Sequence, residues 1–254
     1  MATKVRYVSS TSGINVRSTA AGAKIATLNY GDLMYDVPGV ATQTASLGDT
    51  SYEWVKVHYY PYGTSTSEGE GWVTVSNTTV VSTVTPTKSK VLNSNYLLKQ
   101  HERLINARYI HKYLKDNGWS NNAIYAMLGN MEEESSINPG KWEVTNNTSK
   151  GYGLTQWSPS TKYTSWLPTG SIISDIDNQL ARILYEVLND NLQWVKCQMS
   201  PNMTFSEFTT SNKSVSVLAE YFLRCYERPS DAESKVATRQ ANAAKWKTLI
   251  EYLT

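Results

Sequence analysis

In the first third of the chain, apolar and polar positions alternate in short runs: Ile14-Asn15-Val16, Trp54-Val55-Lys56-Val57 and Trp72-Val73-Thr74-Val75. A period of two is that of a strand with one buried face. Gly22, Gly31, Gly39, Gly63 and Gly71 punctuate these runs. Several short strands with turn signals predict a small all-β barrel or sandwich. From Ser76 to Lys90 the chain is rich in Thr and Ser. Val80, Val81 and Val84 leave room for a last strand, and the second half of this stretch, with Pro86, reads as a linker. Beyond Ser94 the period lengthens. Leu97, Leu98, Leu104, Ile105, Ile110, Tyr113 and Leu114 fall at helical spacing, Gly118 ends that element, and Ser120 can cap the next. Further helices are predicted at 174–198, 213–227 and 231–253. The pattern predicts two domains: an all-β domain over 1–82, a linker over 83–93, and a mainly α domain over 94–254.

One helix carries the chemistry. In Ile124-Tyr125-Ala126-Met127-Leu128-Gly129-Asn130-Met131-Glu132-Glu133-Glu134-Ser135, the residues Ile124, Met127, Leu128 and Met131 form one apolar stripe. Glu133 falls opposite the stripe and should face water, whereas Glu132 and Glu134 lie on its two borders. A border position at a helix C-terminus favours the protonated carboxyl, through partial desolvation and the negative end of the helix dipole, which suits a general acid. Asn138-Pro139-Gly140 cannot continue the helix. A solvated charge run is the plainer reading of three glutamates alone. What favours chemistry is the downstream Gly151-Tyr152-Gly153-Leu154-Thr155-Gln156-Trp157-Ser158-Pro159, followed by Lys162-Tyr163, Tyr226-Glu227-Arg228-Pro229, Arg239, Ala243 and Trp246.

Composition narrows the classes. Hydrophobic residues make up 40% and charged residues 18% of the 254, ordinary for a soluble globular chain. A net charge of +2 without a dense Lys/Arg stripe argues against nucleic-acid binding. No run approaches the roughly 18 apolar residues of a membrane span, so membrane insertion is not expected. The start, Met1-Ala2-Thr3-Lys4-Val5-Arg6, lacks a signal-peptide core, so synthesis in the cytoplasm of a host is expected, with release by other means. Cys197 and Cys225 have no metal-ligand spacing, and His58, His101 and His111 do not cluster with them. Two buried reduced thiols are the favoured reading over a disulfide, and neither metal nor cofactor is expected. A cysteine peptidase or zinc amidase is disfavoured for the same reasons.

Gly13-Ile14-Asn15-Val16-Arg17-Ser18, the run Lys24–Asp32, Trp54-Val55-Lys56-Val57 and Gly71-Trp72-Val73 together resemble bacterial SH3-type domains, over about residues 5–80. The resemblance implies an SH3-like barrel that targets cell-wall peptide or polymer. Trp54 and Trp72 are read as core or platform. Tyr59, Tyr60 and Tyr62 around Pro61 are the candidate wall-binding residues, since tyrosines offer flat amphipathic contact at little entropic cost, or else they pack beneath a loop.

The long motifs of the second half resemble the phage tail lysozyme family of glycan-cutting domains, over about residues 95–252. The resemblance implies a lysozyme-like fold that hydrolyses the β-1,4 bond between N-acetylmuramic acid and N-acetylglucosamine. The family's glutamate before serine falls on Glu134, which becomes the general acid, with Ser135 bracing it. Gly153 would let the sugar approach closely, Gln156 and Tyr152 would bond to the sugar or the attacking water, and Trp157 is either a sugar platform or core. The two-carboxylate scheme requires a partner. Glu143 is the nearest candidate, and Asp175 and Asp177 are better read as a helix start. Without a partner, Glu134 alone would serve a lytic transglycosylase. A non-enzymatic wall-binding protein is the remaining alternative. The implied setting is a phage endolysin released through a holin, or else a virion-associated lysin, acting on bacterial peptidoglycan.

Overall fold

The computed structural model describes residues 3–60, 69–189, 192–197 and 203–254. They divide into two compact units. The first comprises Met1–Val84 with Lys99–Glu102 and Thr248–Thr254, and the second comprises Thr85–Leu98 with Arg103–Lys247.

The first unit is antiparallel β. Its strands are β1 (Val5–Val8), β2 (Ile14–Arg17), β3 (Lys24–Leu28), β4 (Leu33–Asp36), β5 (Gln43–Leu47), β6 (Thr50–Tyr59), β7 (Gly69–Thr74) and β8 (Thr78–Val80). The pairing runs β3-β2-β7-β6-β4-β1-β8, with β5 folded onto β6 as a hairpin. Among the described residues no ladder joins β3 to β8, so the sheet is open rather than the closed barrel predicted. In the long β6, residues 50–54 pair with β5, 54–59 with β7 and 57–59 with β4. The alternating positions behave as the period of two requires. Ile14, Val16, Val55, Val57 and Val73 meet Val8, Leu28, Met34 and Tyr59 in one core; Asn15, Arg17, Lys56 and His58 between them are exposed or half-buried, whereas Trp54, Trp72 and Thr74 are buried as well. Trp54 is buried and donates its indole N–H to the Ala45 carbonyl, which fixes the β5–β6 hairpin.

The second unit is mainly helical. It contains α1 (Gln100–Asp116, whose first three residues count with the sheet unit), α2 (Asn121–Ser135), α3 (Thr161–Thr164), α4 (Ile176–Leu188), α5 (Phe205–Thr210), α6 (Val215–Phe222) and α7 (Ala232–Glu251, whose last residues likewise count with the sheet unit). A π-helical turn, Leu223–Glu227, follows α6. Ser120 caps α2 as predicted, its Oγ accepting from the Ala123 N–H. Asp175 caps α4, accepting from the Asp177 N–H, and so belongs to a helix start.

Two expectations need correction here. The supposed linker is bound to the helical unit from Thr85 onward. Leu92 exchanges backbone bonds with the Asn106 amide, and Lys88 pairs with Asp175 at 2.8 Å and Asp177 at 2.9 Å. A Ser/Thr-rich composition hides this because the anchoring groups are backbone amides and one lysine. The second correction concerns the cysteines. Cys197 and Cys225 form a disulfide, with Cα atoms 5.5 Å apart. Sequence spacing carries no information on that approach, which depends on how the segment before α5 returns to the π-turn; there the Val195 N–H donates to the Cys225 carbonyl.

Candidate active site

The site forms where α2 ends. Gly129 sits at the closest approach of α2 to α7: a Cβ there would lie 2.6 Å from the Ala243 nitrogen and 2.7 Å from the Arg239 carbonyl oxygen. Only a residue without a side chain allows this backbone contact, and it brings Arg239 alongside the last turn of α2. Beyond Ser135 the chain leaves the helix through two left-handed residues, Ser136 and Ile137, and then Asn138-Pro139-Gly140. The buried Asn138 amide ties this exit down by donating to the carbonyls of Ser94 and Tyr96.

The three glutamates separate as their helical positions dictate. Glu133 is exposed and accepts from Asn242 Nδ2 at 2.7 Å. Glu132 is buried, with Oε1 2.8 Å from Arg103 Nη1 and 2.9 Å from Lys245 Nζ. Burial alone would raise its pKa, but the charges of Lys245 and Arg103 outweigh it and hold the carboxyl below its ordinary range. Glu132 is therefore a structural ion-pair hub joining α1, α2 and α7. Glu134 is the partly exposed member, with 20% of its side chain accessible. Its Oε1 accepts from Arg239 Nη2 at 2.5 Å, and Arg239 is itself only 3% exposed. The same guanidinium donates through Nη1 to the Asn130 carbonyl. The neighbour of Glu134 is thus a fixed cation rather than the bare apolar surface suggested by the stripe.

The Gly-Tyr-Gly-Leu-Thr-Gln-Trp segment is packed against this turn, but mostly by its own side chains. Ser135 Oγ donates to the Leu154 carbonyl at 2.9 Å and accepts from the Asn138 N–H, a bracing role. Gly153 has φ +80°, and a Cβ there would lie 2.6 Å from Gln179 Oε1, so the close approach it permits is by α4. Gln156, at φ +48°, donates its amide to the carbonyls of Lys141 and Gly153. Tyr152 is buried against Trp142, and burial pushes its phenol up to about 12. Trp157 is 1% exposed and donates its indole N–H to Glu186, which makes it core rather than a sugar platform. Glu143 is bonded to the first residue of this segment. Its side chain is 47% exposed; Oε2 accepts from the Gly151 N–H at 2.8 Å, and Oε1 lies 3.4 Å from Lys150 Nζ. The Gly151 bond first, then Lys150, lowers its pKa.

A carboxyl given no role by the sequence reading stands at the end of the π-turn. Glu227 Oε1 is enclosed and has no hydrogen-bond partner. Burial pushes this carboxyl well above the ordinary range, and the Glu134 carboxylate is the charge that raises it most. Its backbone is anchored on the adjacent residue: Tyr226 Oη donates to Glu186 Oε2 at 2.6 Å. Glu186 is buried and also accepts from Arg182 Nε at 2.8 Å; burial raises its pKa. A signal was present in the sequence. Glu227 follows Tyr221-Phe222-Leu223-Arg224-Cys225-Tyr226, a run that is apolar but for Arg224.

A partly exposed carboxylate clamped by a buried arginine, which acts electrostatically on a buried carboxyl held well above the ordinary range, is equipment for acid–base chemistry. The family described as phage tail lysozyme matches residues 105–250, more than half of the chain and all of these groups. The chain belongs to the phage tail lysozyme family. A relative, "Morphogenesis protein 1" of Bacillus phage B103, is 47% identical over 152 residues, or 59% of this chain. The matched region spans only 40% of that relative's length. Family membership implies lysozyme-like cleavage of cell-wall glycan.

In the sheet unit, Tyr59 and Tyr60 are buried. Tyr59 ends β6 in the core, and the Tyr60 carbonyl accepts from Gln100 Nε2. Both have packing roles, and Tyr62 lies outside the described residues. No described helix is long and apolar enough to cross a membrane.

Proposed function

We propose that this phage tail lysozyme domain cleaves the β-1,4 bond between N-acetylmuramic acid and N-acetylglucosamine in bacterial peptidoglycan, with Glu134 delivering the proton to the leaving oxygen. The observation that carries this reading is the division of labour among the carboxyls at the end of α2. Glu132 is committed to Arg103 and Lys245, Glu133 faces outward, and Glu134 is held in one orientation by Arg239 while remaining partly accessible. Protonating the glycosidic oxygen lets the C1–O bond break as an oxocarbenium-like centre develops. Water then adds at C1 and returns a proton to Glu134. The sheet unit is read as an SH3-type wall-targeting module, and the name of the B103 relative favours a virion-associated setting over a holin-released one.

The commitment of Glu143 to Lys150 and Gly151 favours one further reading. If Glu143 does not activate water, the sugar's own 6-hydroxyl can attack C1 and leave an anhydro product, as in a lytic transglycosylase. Digestion of purified peptidoglycan by the wild type, Glu134→Gln and Glu143→Gln, with products resolved by mass spectrometry, tests both. New reducing ends that vanish in Glu134→Gln establish the hydrolase, and their identity separates muramidase from glucosaminidase. Anhydro ends establish the transglycosylase. Undiminished cutting by Glu134→Gln overturns the assignment of the acid, and wall binding without cutting by the wild type leaves a binding protein.

A further inference from the structure

Trp166, Arg182 and Tyr185 form a cluster in the helical unit to which the cleavage reading gives no role. Trp166, just after α3, and Tyr185, in the last turn of α4, pack ring against ring with centroids 5.5 Å apart at an interplanar angle of 42°. The Arg182 guanidinium lies over both, its Cζ 5.5 Å from each ring centroid. Arg182 is buried, with 10% of its side chain accessible, whereas Trp166 is half-buried and Tyr185 is exposed. Each member is held in place. The Trp166 N–H donates to the Tyr163 carbonyl at 3.0 Å, and Arg182 Nε donates to Glu186 Oε1 at 2.8 Å. Glu186 also accepts from the Trp157 indole and the Tyr226 hydroxyl, so the group that orients the guanidinium is itself locked in the core. That pair uses one of the five N–H donors of the arginine. Among the described residues nothing accepts from its two terminal amino groups, and neither is sealed from solvent. A buried, oriented arginine thus presents open donors beside two aromatic faces.

We propose that Trp166, Arg182 and Tyr185 form an accessory subsite for a carboxylate carried by the wall glycan, either on the lactyl group of muramic acid or on the peptide attached to it. The inference rests on the glycan-cleaving reading above for the identity of the ligand. A planar guanidinium with both amino groups open matches a carboxylate in a two-pronged bond. Arginine is weakly hydrated, and stacking on the two rings fixes its plane beforehand, so little order is lost when the carboxylate arrives. Burial lowers the local dielectric and strengthens the charged bond that forms there. The rings add flat faces for the C–H groups of a sugar or for peptide methyls. A neutral glycan finds only those faces, whereas an acidic one finds the rings and the fork together. The subsite therefore selects carboxylate-bearing wall polymer over neutral polymer of the same sugar backbone.

The test is calorimetric titration of the full chain with chitobiose, with N-acetylglucosaminyl-N-acetylmuramic acid, and with that disaccharide carrying its peptide. The first two differ by the lactyl carboxylate; in the third the lactyl group is amide-bonded and the free carboxylates belong to the peptide. At least one acidic ligand should bind about tenfold or more tightly than chitobiose, the scale of a hydrogen bond to a charged group, and which one does so names the source. Arg182→Lys keeps the charge but not the fork, and should cut that preference to about twofold or less. Tyr185→Ala should weaken the favoured ligand about threefold. In the nitrogen-15 NMR spectrum the Trp166 indole signal, assigned by its absence from Trp166→Phe, should move with the favoured ligand and far less with chitobiose. Equal affinities for all three ligands, or a preference that survives Arg182→Lys, overturn the proposal. If Arg182→Lys fails to fold, the indole signal decides, and a signal that stays still sinks the subsite. None of these readouts needs catalysis. If the wild type cuts glycan but shows no carboxylate preference, the subsite falls alone. If it cuts nothing while the preference and its loss in Arg182→Lys both hold, the cleavage reading falls and the subsite stands.

Discussion

Arg239 fastens Glu134 to its own helix: Nη2 donates to Glu134 Oε1 at 2.5 Å, while Nη1 donates to the carbonyl of Asn130, one turn earlier in α2. The carboxylate is thus held by a planar fork whose other prong is fixed on the backbone that carries it. Lysine supplies the charge but only a point donor, so it cannot span both acceptors in that geometry. Arg239→Lys should keep the fold and lower kcat by about a hundredfold, the scale set by a misplaced reacting group. Steady-state rates on soluble glycan fragments read this directly, and wild-type kcat in Arg239→Lys would show that the fork positions nothing.

The placement of Arg239 depends in turn on Gly129. With a Cβ there only 2.6 Å from the Ala243 nitrogen, α2 and α7 must separate to admit even alanine. Gly129→Ala should destabilise the protein by about 1–3 kcal/mol, despite the better helix propensity of alanine. It should also lose activity beyond what the stability loss explains, because Arg239 moves with α7. Urea unfolding and rates measured well below the unfolding midpoint separate the two effects. A variant of unchanged stability would mean the interhelical contact is looser than the geometry requires.

Glu132 tests the opposite role, since its value is structural. Its removal leaves Arg103 and Lys245 buried without their shared counter-charge. Glu132→Ala should therefore cost roughly 3–5 kcal/mol. The pH dependence has a definite sign. The folded carboxyl lies below its unfolded value, so its contribution is present above the ordinary carboxylate range and is lost as pH falls through the folded pKa. Denaturant midpoints of the wild type and Glu132→Ala should converge on acidification, and a constant gap across pH would remove the ion pairs from the account.

The helix pattern made much of this legible. The apolar stripe of α2, its Ser120 cap, its Asn138-Pro139 terminator and the outward Glu133 are all local consequences of period and capping, and the structure has them. Glu132 and Glu134 stayed indistinguishable on position alone, because what separates them is which cations arrive from α1 and α7. Glu227 was passed over for the same reason: its character comes from α2, α4 and α7 converging on one turn. Tyr152 and Trp157 illustrate the converse. Their motif marks a conformationally demanding loop, and the aromatic rings that look like sugar contacts instead fill its underside. Disulfide pairing and the docking of the segment after Thr85 are likewise long-range facts with no local pattern.

If Glu227 holds a proton in the native state, the protein is less stable at neutral pH than it needs to be. Its folded pKa is raised above the unfolded value, so between the two the native state binds more protons than the unfolded chain. Stability from this group is fully present below the unfolded pKa and declines as pH rises toward the folded one. Gln, neutral at every pH, removes that dependence while retaining a hydrogen-bonding group of the same size. Thermal melts of the wild type and Glu227→Gln should therefore nearly coincide near pH 4 and diverge as pH rises, with the variant the more stable near pH 7 to 8. Glu186, buried with its pKa also raised, is present in both proteins and cancels in the comparison. A stabilised variant is the signature of a carboxyl kept buried against the interest of the fold. A variant less stable at every pH would instead assign Glu227 to packing, with its carboxyl ionised and paired in solution.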